Sequence, residues 1–149
     1  MVEAEVKANA DYMAKNMAKH GWQYVVVDIQ WSEQNPKTHG YRPVADLAMY
    51  ANGHLIPVPN RFPSSANGQG FQALADYVHS KGLKFGIHIM RGLPRAAVNV
   101  NLPVLGASAE AAEIANKESI CPWNPDMYGI DTTKPGGQEY YDGIVKMYA

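Results

Sequence analysis

Gly21-Trp22-Gln23-Tyr24-Val25-Val26-Val27-Asp28 sets three adjacent valines between a glycine and a carboxylate, which predicts a strand that follows a helix stop and ends at Asp28. β-Branched side chains favour extended backbone, and an unbroken apolar run is the pattern of a parallel-sheet strand buried on both faces. Upstream, Glu3 to His20 contains neither proline nor glycine, and Val6, Ala10, Met13, Ala14 and Met17 recur at three- and four-residue steps. That spacing predicts an amphipathic helix. Downstream the same cadence returns. Phe71, Leu74, Ala75 and Val78 mark a helical face between Gly70 and Lys81, Gly82 is the stop, and Leu83-Lys84-Phe85-Gly86-Ile87-His88-Ile89 reads as a second strand. Tyr140, Ile144, Val145 and Tyr148 predict a third helix over Gly137 to Ala149. The order α, β, α, β, α favours parallel strands joined by helical crossovers.

Two long excursions interrupt this cadence. Ile29 to Gly70 holds five prolines and exceeds the usual connection of about two to six residues, as loops that serve a site often do. Within it, Gly53 to Pro57 reads as a short hairpin arm. The second excursion, Arg91 to Pro135, contains an alanine-rich helical candidate from Ala107 to Asn116 and a turn-rich stretch from Cys121 to Asp131.

A length of 149 residues suits one domain, so residues 1–149 are expected to form a single unit. With 46% hydrophobic and 18% charged residues the chain is expected to fold, and it holds no apolar run of membrane-spanning length. Lys plus Arg number 13 against 14 Asp plus Glu, without a basic cluster, so neither nucleic acid nor membrane is an expected partner. The single cysteine, Cys121, excludes an intrachain disulfide and cannot alone build a structural zinc site. The sequence implies no metal or cofactor. Met1 to Lys7 lacks the apolar core of a secretory signal.

Three stretches together resemble glycoside hydrolase family 27, the α-galactosidase (melibiase) type: Gly21 to Trp31; Asn60-Arg61-Phe62-Pro63-Ser64 with Leu74 through His88; and the region of Cys121-Pro122-Trp123. The resemblance implies a partial (β/α)8 TIM barrel with about two parallel strands and three main helices, running from the family's first helix through its third. It implies a retaining glycosidase, in which one aspartate attacks the anomeric carbon and a second protonates the departing oxygen, the two about 5–5.5 Å apart. Neither has an equivalent in these residues, so no catalytic residue is assigned. Two strands cannot close an eight-stranded barrel, and self-association or pairing with further barrel segments is expected.

The resemblance places Asp28 at the family aspartate that hydrogen-bonds galactose hydroxyls, at the strand end where barrel enzymes build their sites. The next family position, usually a second aspartate, is Ile29, and the strand-three tyrosine is His88, so strict galactose specificity is not implied. His88 is a candidate donor to a sugar hydroxyl or partner of Asp28. Trp31 and Trp123 offer flat apolar faces with an indole N–H, a combination suited to sugars as well as to packing. Arg91, just past the second strand, reads either as a hydroxyl ligand or as a rim ion pair. The expected partner is a galactose-like carbohydrate. Two other readings stand beside this one: a non-catalytic, oligomeric carbohydrate-binding protein, and a metal site on Asp28, His88 and another His or carboxylate, for which no close ligand motif is present.

Overall fold

The computed structural model describes residues 1–36 and 41–148. The chain forms two compact units, one of Met1–Gln34 with Ile56–Ile89 and one of Asn35–Leu55 with Met90–Ala149.

The first unit carries the predicted cadence. Helix α1 spans Glu3–Asn16 and a short 3-10 turn follows over Ala18–His20, so the predicted Glu3 to His20 segment tightens in its last turn. Val2 has no side-chain acceptor, and capping is one-sided: the Glu5 carboxylate accepts the Val2 N–H at 2.7 Å. Glu3 and Glu5 lie at the positive end of the helix dipole and Lys15 at its negative end. Gly21 and Gly82 both take left-handed φ, +92° and +74°, as helix stops require. Strand β1 (Tyr24–Val27) and strand β2 (Lys84–Ile87) pair in parallel, Tyr24 against Lys84 through Val27 against Ile87. Helix α2 (Gln72–Ser80) precedes β2 and buries Leu74 and Val78 completely.

Strand β1 departs from its reading in one respect. Val25 and Val27 are buried, whereas Tyr24 is 59% and Val26 52% exposed. Alternation sends these pairs to opposite faces, and α1 and α2 lie against one face. Beneath that covered face, Phe71 meets Trp31, Phe62 and Phe85 at centroid distances of 5.4, 5.3 and 5.6 Å, within the range of favourable edge and tilted aromatic contacts.

The second unit contains a sheet the sequence did not announce. Strands β3 (Leu93–Pro94), β4 (Ala115–Ile120) and β5 (Met127–Ile130) form an antiparallel sheet with β5 in the centre. The β4 register breaks between Asn116 and Ile120, a bulge. Helix α3 is Arg95–Asn99, and the alanine-rich candidate shortens to α4, Ala111–Ile114. The chain becomes strand at Ala115 because Ala115 pairs with Ile130 and the Ile114 carbonyl accepts the Asp131 N–H at 2.8 Å. Helix α5 occupies Gly137–Tyr148 as expected, with Tyr140 buried but Val145 66% exposed, so Val145 leaves the predicted inner face. The core gathers Leu93, Val98, Val104, Ala111, Ile114 and Tyr140. The hairpin arm begins earlier than read: Met49 bridges Leu55, and the Tyr50 N–H donates to the His54 carbonyl at 2.8 Å.

Candidate functional site

Asp28 and His88 stand one residue beyond the last paired positions of β1 and β2. Parallel pairing brings the two C-terminal ends side by side, and the His88 N–H extends the ladder by donating to the Val27 carbonyl at 2.9 Å. Strand alternation puts Asp28 in phase with the exposed Tyr24 and Val26, and the register puts His88 in phase with Lys84 and Gly86 opposite them. Both side chains therefore belong to the open face of the sheet. Asp28 is exposed, and His88 is half-buried with its Nδ1 enclosed and without a hydrogen-bond partner. A carboxylate that only accepts and an imidazole that both donates and accepts are complementary to vicinal hydroxyls.

Trp31 occupies a different position from the open one read in the sequence. It is 3% exposed, its ring meets Phe71 edge-on at 72°, and its indole N–H donates to the His88 carbonyl at 2.8 Å. The covered ring leaves no free face for a sugar, because the turn after β1 folds it back onto the core. That turn is made by Gln30, whose φ of +64° lies in the left-handed region unusual for a residue with a Cβ, and it closes by a 3.1 Å bond from the Glu33 N–H to the Gln30 carbonyl.

Arg61, which no local pattern marked as a site residue, gathers this loop. Its Nη1 donates to the Gln30 carbonyl at 2.5 Å and the Glu33 carbonyl at 3.0 Å, while Nε and Nη2 donate to the Met1 carbonyl at 3.2 and 2.7 Å. Burial pushes the Arg61 guanidinium below its ordinary pKa, against the opposing pull of Glu33 and Glu5. The only sequence signal for it was its place in Asn60-Arg61-Phe62-Pro63-Ser64, since its partners lie 28, 31 and 60 residues away and leave no periodic trace.

Arg91 and Trp123 belong to the second unit. Arg91 donates to the Ser119 hydroxyl at 2.9 Å and lies 3.4 Å from the Ile120 carbonyl, so its guanidinium ties the chain before β3 to β4. Trp123 is 54% exposed and meets Tyr41 edge-on, centroids 5.9 Å apart, forming an open aromatic pair of which the sequence showed one half. Two surface hollows of about 500 and 460 Å³ also open in this unit, and neither is lined by any of the five candidates. Among the described residues no three His, Cys, Asp or Glu side chains gather as a metal site, and no helix is long and apolar enough to cross a membrane.

Comparison with known proteins gives this arrangement its context. The family model described as Alpha galactosidase A, Melibiase_2, matches residues 1–147. The chain is similar to a β-L-arabinopyranosidase of Geobacillus stearothermophilus, whose structure was determined in a complex with arabinose, at 55% identity and a TM-score of 0.95 over 99% of this chain. It is also similar to a putative α-N-acetylgalactosaminidase of Bacillus halodurans, at 54% identity and a TM-score of 0.92. The α-galactosidase of Oryza sativa subsp. japonica is 36% identical over 97% of this chain. The chain spans 34% of each bacterial structure and 29% of the rice enzyme. Matched along nearly its whole length, the chain belongs to the α-galactosidase (melibiase) family, glycoside hydrolase family 27.

Proposed function

We propose that residues 1–149 are a segment of one TIM-barrel catalytic domain, and that they supply part of the sugar-binding wall of a family 27 glycosidase. The observation that carries this reading is the placement of Asp28 and His88 together on the open face, at the C-terminal ends of parallel strands, where barrel enzymes assemble their sites. Asp28 accepts from sugar hydroxyls, and His88 shares one of them. The bond-breaking carboxylate pair comes from sequence beyond these residues.

Ile29 narrows the substrate class. Where the family resemblance places a second carboxylate, this chain has a branched hydrocarbon that offers no partner to a further hydroxyl. L-Arabinopyranose is the galactose ring without its exocyclic hydroxymethyl group, and the named activity of the Geobacillus relative agrees with a site that takes such a ring. The preferred ligand is thus a galactose-like pyranose, with the smaller arabinose ring favoured. In the full-length polypeptide, titration calorimetry is expected to show L-arabinose binding more tightly than D-galactose, and Asp28→Ala weakening both at least tenfold. Unchanged affinity in Asp28→Ala would remove this site from consideration. Purified residues 1–149 alone are expected to give no turnover of an aryl α-galactoside or an aryl β-L-arabinopyranoside. Turnover lost in Asp28→Ala would show an active site rebuilt within the segment or an assembly of it.

The exposed Tyr24 and Val26 favour a second reading, in which copies of the segment associate through this face and bind carbohydrate without cleaving it. A stable oligomer that binds arabinose but turns over neither glycoside supports that alternative.

A further inference from the structure

The least expected feature of the first unit is the hydrogen bond from a buried tryptophan to the end of the neighbouring strand. β2 holds its ladder bond to β1 through the His88 N–H, while the His88 carbonyl accepts the Trp31 indole N–H. Both main-chain polar groups of His88 are therefore fixed, one by β1 and the other by the turn that follows β1. The turn is itself held from three directions: the Trp31 carbonyl accepts the Val58 N–H at 3.2 Å, the Gln30 amide donates to the Glu33 carboxylate at 3.2 Å, and Arg61 bridges the Gln30 and Glu33 carbonyls. Gln30 sits in a backbone conformation that costs energy for a residue with a Cβ, and such conformations persist where surroundings over-determine them. One guanidinium satisfying both ends of the turn is a sufficient determinant.

We infer that Trp31 and Arg61 are positioning residues of the sugar site: Arg61 holds the Gln30–Glu33 turn, the turn aims the Trp31 N–H, and Trp31 fixes His88 beside Asp28. This rests on the reading of Asp28 and His88 as ligands and extends it by assigning a function to two side chains that do not themselves reach the open face. It also gives Trp31 a role other than stacking on the sugar. The His88 imidazole, with its enclosed Nδ1 unpartnered, has no side-chain hydrogen bond at that atom to orient it, so its aim depends on how its backbone is held.

The test is a double-mutant cycle in the full-length polypeptide, with L-arabinose and D-galactose affinities from calorimetry and KM and kcat where turnover is present. Trp31→Phe keeps an aromatic ring against Phe71 and removes the N–H. It is expected to weaken sugar affinity roughly two- to tenfold, the scale of one hydrogen bond, through KM rather than kcat, with a lowered Tm from the vacated core volume and the unpaired carbonyl that leaves the protein folded at the assay temperature. In a His88→Ala background the same substitution is expected to cost nothing further, because its effect passes through the imidazole. Arg61→Lys keeps the charge but loses the planar fork; it should shift affinity in the same direction and add little once Trp31→Phe is present. An unchanged affinity in both Trp31→Phe and Arg61→Lys, or losses that add to that of His88→Ala, would overturn the positioning role. Asp28→Ala separates the two ideas: loss of affinity there with an additive cycle leaves the site standing and removes only the relay, whereas wild-type affinity there removes the site reading itself.

Discussion

His54 is a buried histidine, 1% exposed, outside the candidate sugar site. Its main-chain N–H donates to the Asn52 side-chain oxygen at 3.2 Å, which leaves the Asn52 amide nitrogen facing Nδ1 at 3.3 Å as donor. The proton is thereby assigned to Nε2, 3.2 Å from the Tyr140 carbonyl, with the Tyr140 ring edge-on at a centroid distance of 4.8 Å. Protonating Nδ1 would set two donors against each other in a dry pocket. Burial lowers the His54 pKa below its ordinary 6.5, with the Tyr140 carbonyl opposing the shift. Between the lowered folded pKa and about 6.5 the unfolded chain binds the extra proton, so this stabilisation is full above about pH 6.5 and is lost as pH falls toward the folded value. Urea unfolding from pH 7.5 to 5 is expected to show declining stability, and His54→Gln should flatten that decline. An equal slope in both proteins would exclude His54 as the cause. Gly143 on α5 faces the same ring, where an added Cβ would overlap His54 Cε1. Gly143→Ala is therefore expected to destabilise by about 1–3 kcal/mol, the usual range for overpacking, as read by thermal melts; a loss under about 0.5 kcal/mol would mean that the ring moves freely aside.

Among elements, the start of α1 shows how a helix is tied to a distant loop. Glu3, 6% exposed, accepts the Lys7 ammonium at 2.5 Å and the Ser64 main-chain N–H at 2.8 Å, while its own N–H donates to the Arg61 carbonyl at 2.9 Å. Burial opposes ionisation of Glu3, but the hydrogen bonds from Lys7 and Ser64 outweigh it and hold the carboxyl below its ordinary pKa. Its stabilisation is thus present above about pH 4.5 and lost as pH falls through the lowered value, a window separate from that of His54. Glu3→Ala leaves the Ser64 N–H without its partner and is expected to cost about 1–3 kcal/mol. Glu3→Gln, which retains an acceptor, should cost less, and chemical denaturation at pH 7 checks both. Equal losses in the two variants would show that charge rather than the hydrogen bond decides. The elements also differ in how far local sequence specified them. β1 and β2 lie within their predicted runs because valines, phenylalanine and flanking glycines act locally. β4 reads Ala-Asn-Lys-Glu-Ser-Ile, a composition of weak strand preference, and becomes a strand through pairing with β5.

For the molecule as a whole, the open sheet face is the feature with the largest physical consequence. Two parallel strands expose Tyr24 and Val26, and among the described residues their outer edges are unpaired, surfaces that normally associate. Residues 1–149 in isolation are expected to self-associate in light scattering at micromolar concentration, and Val26→Lys to shift the population toward monomer. A monomer of the unsubstituted segment over a wide concentration range would count against that surface as an interface. The sequence by itself determined the α/β cadence and the two parallel strands, because β-branched runs, helical spacing and glycine stops act over a few residues, and it pointed to the family through the resemblance carried by Gly21 to Trp31 and Asn60 to His88. It also located Asp28 and His88, whose positions at strand ends follow from strand boundaries. Only the tertiary structure decided that Trp31 is a core residue bonded to His88, that Arg61 holds the loop after β1, and that the second excursion contains an antiparallel sheet. Each of these depends on contacts between residues far apart in sequence, whose energies arise only when the folded chain has excluded water from between them.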